Sequence, residues 1–446
     1  MANDFRGLPG VDELATSYAG DGVPPATVVE AARAVIAEAR ERIRSGGVAL
    51  DSMDLVAELD ARVRDSIRPS LRPVINASGV LLQTNLGRAP LSERAIAALA
   101  AVARGYSNLE YDLSGGERGS RHEHVRSLIR RTTGAEDGIV LNNNAAAIFM
   151  VLSVFASGGE VIVSRGQAVE IGGGFRIPDV LRQSGARLVE VGTTNRTYAR
   201  DYAAAITPET AAILRVHSSN FRVIGFTAEA SLSELATLAR ERSVALFDDL
   251  GSGCLVETRD YGLAHEPTVQ ETIAGGADLA MFSGDKLLGG PQCGIVAGRG
   301  ELIEQLRRHP LARALRVDKL TIAALNATLS SYAEGREREE VPIWRMLAID
   351  EARLKRRAGG WARAWGEGAS VVRSRSMVGG GSLPEEGVAT WSTAIRVASA
   401  DTLARELRSG EPAIVARIHD GAVLLDPRTV EPGADRSVGR RLAAAR

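Results

Sequence analysis

Lys286 sits in Leu279-Ala280-Met281-Phe282-Ser283-Gly284-Asp285-Lys286-Leu287-Leu288-Gly289-Gly290-Pro291, an apolar run that breaks into a turn rich in serine and glycine. Such a turn lets backbone approach a ligand closely. Of the 54 basic residues only Lys286, Lys319 and Lys355 are lysines, and the other 51 are arginines. Arginine stays protonated and cannot form a Schiff base, so a position that needs a free amine must keep lysine. Thirty-seven residues before Lys286, the run Ala245-Leu246-Phe247-Asp248-Asp249 ends in a carboxylate. A carboxylate there can pair with a protonated pyridine nitrogen and keep the ring an electron sink. Earlier still, Ile139-Val140-Leu141-Asn142-Asn143-Asn144-Ala145-Ala146-Ala147 reads as strand, polar turn and helix start. The free N–H groups and positive end of such a helix suit a phosphate, and an asparagine can cap it.

These residues need a frame that brings strand ends together. Between Leu71 and Tyr332, short apolar runs (GIVLNN, EVIVSR, ARLVEVG, AAILRVH, VALFDD, LAMFSG) alternate with helical stretches. That alternation predicts an α/β domain with a mainly parallel sheet covered on both faces, whose ligand site lies at the strand carboxyl ends. Before it, VVEAARAVIAEARERI and MDLVAELDARVRDSI carry apolar residues at helical spacing, interrupted by Ser45-Gly46-Gly47. After it, GGGSLPEEGVATWSTAIRV, LARELRSGEPAIVARI and AVLLDPRTV predict a small α/β domain with antiparallel strands. The expected division is a helical domain over 1–70, a large catalytic domain over 71–335 and a small domain over 336–446.

Composition narrows the class further. A length of 446 residues calls for two or three domains, and 45% hydrophobic with 24% charged residues is ordinary for a folded globular chain. No apolar run reaches the ~18 residues of a membrane helix, and the first residues lack a secretory pattern, so a cytoplasmic protein is expected. Cys254 and Cys293 are the only cysteines and the six histidines are scattered, which indicates buried thiols and neither disulfide nor metal site. A net charge of −1 leaves any nucleic-acid contact local. The arginine clusters Arg40, Arg42, Arg44 and Arg62, Arg64, Arg68 lie among as many acids, as on a solvated helix face.

The order of phosphate turn, strand-end Asp249 and then Lys286 resembles the layout of fold-type-I pyridoxal-phosphate (PLP) transferases. The segments Val74-Ile75-Asn76-Ala77-Ser78-Gly79, Thr84-Asn85-Leu86-Gly87-Arg88, Tyr106-Ser107-Asn108-Leu109-Glu110-Tyr111, Gly116-Glu117-Arg118-Gly119-Ser120-Arg121, SGDKLLGGPQ and Arg313-Ala314-Leu315-Arg316-Val317-Asp318-Lys319 further resemble the bacterial selenocysteine synthase family. The resemblance implies that Lys286 holds pyridoxal 5′-phosphate, Asp249 pairs with its ring nitrogen, Asn144 and Ala145 meet its phosphate, and Asn220 contacts its phenolic oxygen. Asp285 is a second acid beside the lysine. Arg88, Arg313 and Arg316 match arginines that hold the selenium donor, and Arg118 and Arg121 are further substrate-binding candidates. Arginine's fork suits a phosphate-like oxyanion, and Arg313 and Arg316, three apart, would share a helix face.

The implied reaction converts seryl-tRNA(Sec) to selenocysteinyl-tRNA(Sec) with selenophosphate, through a dehydroalanyl-tRNA intermediate. The helical domain would grip the tRNA, and the protein would be a homo-oligomer, a decamer by resemblance. Two positions depart from the family pattern. Gln83 replaces a histidine before TNLGR and Ser114-Gly115-Gly116 replaces Glu-Thr-Gly, so contacts with the ring are expected to differ there. The alternative is a PLP lyase of the same build acting on a small amino acid or amino sugar without tRNA. A second rival, a scaffold that only binds RNA, is disfavoured by the retention of Lys286.

Overall fold

The structure is a computed structural model that describes residues 5–46, 51–171, 174–218 and 220–446. It divides into two compact units, Met1–Pro73 and Val74–Arg446.

The first unit is helical: Val11–Thr16, Pro25–Arg44 and Ser52–Ile67. Val28, Ala32, Val35, Ile36 and Ala39 recur at three- and four-residue spacing and pack with Leu14, Leu55, Leu59 and Val63 into one buried cluster. The second helix ends at Arg44, and Gly46 follows with φ +81°; Gly47, the last residue of the expected break, lies outside the described residues. Asp51 opens the third helix by accepting a hydrogen bond from the Asp54 N–H at 2.8 Å. Two cluster arginines pair across the helices, Arg42 with Glu58 at 3.1 Å and Arg62 with Glu38 at 2.6 Å. The sequence did not suggest the short helix Val11–Thr16, whose six residues are too few for a periodic signal.

In the second unit a seven-stranded sheet runs, in spatial order, Asp137–Leu141, Gly294–Gly298, Leu279–Ser283, Ala245–Gly251, Thr210–Val216, Glu160–Ser164, Arg187–Val191. All the strands expected from the apolar runs are present and parallel. Gly294–Gly298 is inserted antiparallel between Asp137–Leu141 and Leu279–Ser283. Its sequence, GIVAG, is too short and glycine-bounded to announce a strand. Gly294 has no alternative, because a Cβ there would lie 2.1 Å from the Asn143 carbonyl oxygen. Side chains alternate between two cores as a pleated strand demands. Ile139, Leu141, Leu279, Met281 and Val296 face one cluster, and Val140, Ala280, Phe282, Ile295 and Ala297 the other.

A five-stranded sheet has the order Arg417–His419, Ala422–Leu425, Gly387–Ile395, Ala369–Gly379, Val80–Leu82. Its C-terminal strands are antiparallel, while Val80–Leu82 joins parallel to Ala369–Gly379. Val74–Asn76 likewise pairs with Ala413–Val415. Residues 74–82, which read from sequence as the start of the large domain, therefore hydrogen-bond into the small α/β portion. Strand partners about 300 residues away leave no local signature. The consequence is functional, since the chain leaves this small sheet at Leu82 and runs straight to Gln83–Arg88.

Candidate active site

Lys286 lies in the turn between Leu279–Ser283 and Gly294–Gly298 and is only 5% exposed. The turn is pinned from several sides. The Leu287 N–H donates to the Ser252 carbonyl at 2.9 Å, and the Tyr332 hydroxyl donates to the Leu288 carbonyl at 2.8 Å. Trp344 in turn donates its indole N–H to that hydroxyl at 2.6 Å. Gly381, from the loop after Ala369–Gly379, presses on the lysine itself: with φ +98°, it would place a Cβ 2.7 Å from Lys286 Cε and 2.9 Å from Nζ. Neither Tyr332 nor Gly381 stood out in the sequence. Gly381 sits in a run of three glycines that reads as an ordinary loop.

Burial lowers the pKa of the Lys286 amine, with Asp249 working against that shift and Arg88 reinforcing it. Asp249 is itself buried, and desolvation pushes its pKa up to about 6 despite the hydrogen bond that Asn144 Nδ2 gives its Oδ1 at 2.7 Å. Its neighbour Asp248 points to the other side of the sheet, where Arg215 Nη1 donates to both carboxylate oxygens at 3.2 Å and Thr272 Oγ1 to one at 3.0 Å. Successive strand residues face opposite ways, so only Asp249 shares a face with the lysine's surroundings.

Asn143 caps the helix Asn144–Phe155 by accepting from the Ala146 N–H at 2.8 Å. The N–H groups of Asn144 and Ala145, in the first turn, have no intrahelical acceptor. Asp285, 6% exposed, accepts from Arg88 Nη1 at 3.0 and 3.1 Å, and its carboxylate is thereby turned to arginine. Arg88 adopts φ +63° directly after Gly87. Gln83 accepts the Arg88 N–H at its carbonyl and the Asn85 N–H at its side chain, so it shapes this turn.

Most of the other sequence candidates have partners of their own. Asn220 is exposed and donates to the Glu170 carbonyl at 2.9 Å. Arg313 is exposed and has no ion-pair partner among the described residues. The expectation of a shared helix face for Arg313 and Arg316 does not hold: the helix Leu311–Ala314 stops short, and Arg316 bridges to Leu141 in extended form. The reason is that the Leu315 carbonyl takes the Asn142 N–H at 2.9 Å, which draws the chain out of the helix. Glu110 gathers the remaining arginines. It binds buried Arg121, lies 3.4 Å from Arg118 and 3.8 Å from Arg316, and its pKa is lowered chiefly by the Arg121 hydrogen bonds. Arg121 also donates to the Val317 carbonyl. The exposed hairpin around Arg118 is thus tied to the segment that carries Arg316.

A family model described as L-seryl-tRNA selenium transferase matches residues 74–431. The chain belongs to that family. Among relatives, an L-seryl-tRNA(Sec) selenium transferase of Solidesulfovibrio magneticus is 46% identical over 100% of this chain and 99% of its own. One of Moorella thermoacetica is 45% identical over 99% and 97%. Among solved structures, D-glucosaminate-6-phosphate ammonia-lyase superposes with a TM-score of 0.61 at 24% identity, covering 86% of this chain and 97% of that one. The fold is therefore that of the fold-type-I PLP enzymes.

The residues present fit such a cofactor. Buried polar side-chain atoms without a hydrogen-bond partner include Asn144 Oδ1, Ser252 Oγ and Ser382 Oγ. Asn144 touches Asp249, Ser252 supports the lysine turn and Ser382 follows Gly381. Unpaired buried polar groups each cost about 1–3 kcal/mol, so a concentration of them around one amine is the mark of a polar ligand site.

Proposed function

We propose that this chain is a PLP-dependent L-seryl-tRNA(Sec) selenium transferase that uses selenophosphate, with Lys286 as the cofactor lysine. The observation that carries this is a buried lysine amine that feels the charge of Asp249, itself held by Asn144, in a chain alike along its whole length to selenium transferases. PLP, when bound, supplies an electron sink for charge developing at the serine Cα. The rest is work for the chain. Lys286 Nζ, kept neutral more readily by burial, takes the Cα proton and can return it. Asp249 holds the ring nitrogen's proton, and Asn144 fixes which carboxylate oxygen faces it. The first-turn N–H groups of Asn144 and Ala145 receive the phosphate, and Asn220 is proposed for the phenolic oxygen.

Arg88 and Asp285 form a lever beside the lysine. When a phosphate-like donor approaches, Arg88 has one nitrogen on Asp285 and another free to bind it. Arg313, with no ion-pair partner among the described residues, is proposed as a cation for that donor, and Arg316 is a weaker candidate because Glu110 lies 3.8 Å away. Arg118 has most of its side chain in solvent and suits contact with RNA, whereas buried Arg121 acts by holding Glu110. The helical unit is the proposed tRNA grip. Tyr106, Leu113, Ile224 and Phe226 are exposed apolar side chains, from 75% upward, which supports self-association. Among the described residues no helix is long and apolar enough to cross a membrane, in keeping with a cytoplasmic reaction on tRNA.

The decisive experiment supplies charged tRNA(Sec) and selenophosphate in vitro. Selenocysteinyl-tRNA should form with the wild type and not with Lys286→Ala. Release of ammonia from small amino acids or amino sugars, with no selenium transfer, would instead establish the lyase alternative.

A further inference from the structure

Beside the lysine site lies a separate cavity of about 300 Å³ at the carboxyl ends of Glu160–Ser164 and Thr210–Val216. Lys286 is not among its lining residues, but its wall adjoins that site's own parts. His217, which donates its backbone N–H to the Asp249 carbonyl, lines it, and so does Leu383, two residues after the Gly381 that presses on the lysine.

The lining has three chemistries. Glu266, 1% exposed, is a lining residue whose Oε1 stands 3.3 Å from Nε2 of His217, itself part of the wall. Phe221, Val223, Leu383 and Pro384 give an apolar wall. Arg222 stands at the edge, 46% exposed, held to Glu386 at 3.3 Å. A carboxylate–imidazole pair in the wall suits a sugar hydroxyl, an apolar wall with an aromatic ring suits a base, and an arginine at the mouth suits a phosphodiester. The volume is at the lower limit of small-ligand sites, roughly 300 Å³, and admits one nucleoside but no helical RNA.

We propose that this cavity seats the 3′-terminal adenosine of the aminoacyl-tRNA, a reading that rests on the selenium-transferase assignment above. The argument is one of reach. The seryl group is esterified to the ribose of that nucleotide, so once the serine amine is at Lys286 the sugar lies within a few bond lengths. Glu266 is placed for this in the wall beside His217, whose backbone N–H meets the Asp249 carbonyl. The base then lies against Phe221 and the 383–384 loop, and Arg222 meets the phosphate that leads back to the rest of the RNA.

The test compares two uncharged tRNA(Sec) molecules, one ending in CCA and one ending in CC, by filter binding to the full-length holoenzyme at fixed salt. Wild type should bind the CCA form more tightly by about 5- to 150-fold, the range that stacking of one base spans. In Phe221→Ala and in Arg222→Ala that ratio should fall by at least about fivefold. Should Phe221→Ala fail to fold, exposed Arg222→Ala decides alone. A wild-type ratio near one, or an unchanged ratio in the folded variants, overturns the subsite while tight RNA binding leaves the transferase reading intact. A wild type that binds neither RNA takes both down.

Discussion

Replacing Asp249 by Asn in the cofactor-free protein should stabilise it, and by an amount that depends on pH. Burial raises the Asp249 pKa from 3.8 to about 6. Because the folded state holds the proton more tightly than the unfolded chain, stability falls as pH rises through that window, and the full penalty is present above it. About two units at 1.36 kcal/mol each give an upper value of ~3 kcal/mol. Asp249→Asn removes the charge and can keep Asn144 as partner, so its advantage over wild type should be near zero around pH 4 and should level off above about pH 6. Asp248→Asn is the control with the opposite sign. It leaves Arg215 unpaired inside the protein, which should destabilise by about 3–5 kcal/mol. All four tryptophans lie between Trp344 and Trp391, so urea unfolding followed by their fluorescence reports the catalytic unit. A stability difference that is flat with pH, or two variants that behave alike, would refute the reasoning. With cofactor bound, an amide in place of the Asp249 carboxylate no longer holds the ring nitrogen's proton, and turnover should be lost.

Gly381→Ala forces an L-residue to φ +98° and drives a Cβ into Lys286, at a strain of roughly 1–3 kcal/mol; cofactor capture, read by absorbance, should fail, whereas Gly380→Ala should retain it. Arg88→Ala removes a positive charge that lowers the Lys286 pKa, so the pH midpoint for condensation of pyridoxal phosphate with the lysine should move upward, and an unmoved or lowered midpoint contradicts the lever. Arg313→Ala should raise the donor KM about 10- to 150-fold, the equivalent of a charge-assisted contact, with seryl-tRNA binding unaltered. Deleting residues 1–73 should weaken seryl-tRNA binding while the cofactor spectrum persists; equal affinity in the truncated protein would remove the helical unit from RNA recognition.

How much of this was legible depends on how local each cause is. The six parallel strands announce themselves as apolar runs because both faces of the sheet are buried, and an asparagine cap in the turn before Ala145 follows from residue type alone. Lys286 and Asp249 stand out in the sequence as candidates because the proposed chemistry restricts the residue: one position needs an amine, the other a charge at a strand end. Even the choice between Asp248 and Asp249 is implicit in strand alternation, although only the structure shows which face the lysine occupies. What could not be read was held by distant partners. Val80–Leu82 pairs with Ala369–Gly379, Leu315 accepts from Asn142, and Tyr332 pins the lysine turn. In each case the decisive neighbour is far away in sequence, and the local pattern, such as the helical spacing of Arg313 and Arg316, pointed elsewhere.

The scarcity of lysine turns out to be a sharper clue than it first looks, but for a narrower reason. Lys319 donates to the Gly105 carbonyl at 2.7 Å, and Lys355 lies 4.3 Å from the centre of the Trp391 ring. Arginine can make both kinds of contact, so neither position demands an amine. Lys286 differs in burial, in having a carboxylate whose charge it shares, and in being confined by a glycine that no side chain can replace without displacing it. A guanidinium there would remain charged in a site whose surroundings disfavour charge. The environment thus favours an amine over a guanidinium at this position, and it also accounts for the pairing of Arg88 with Asp285: an unpaired cation beside a desolvated lysine would make that site costlier still.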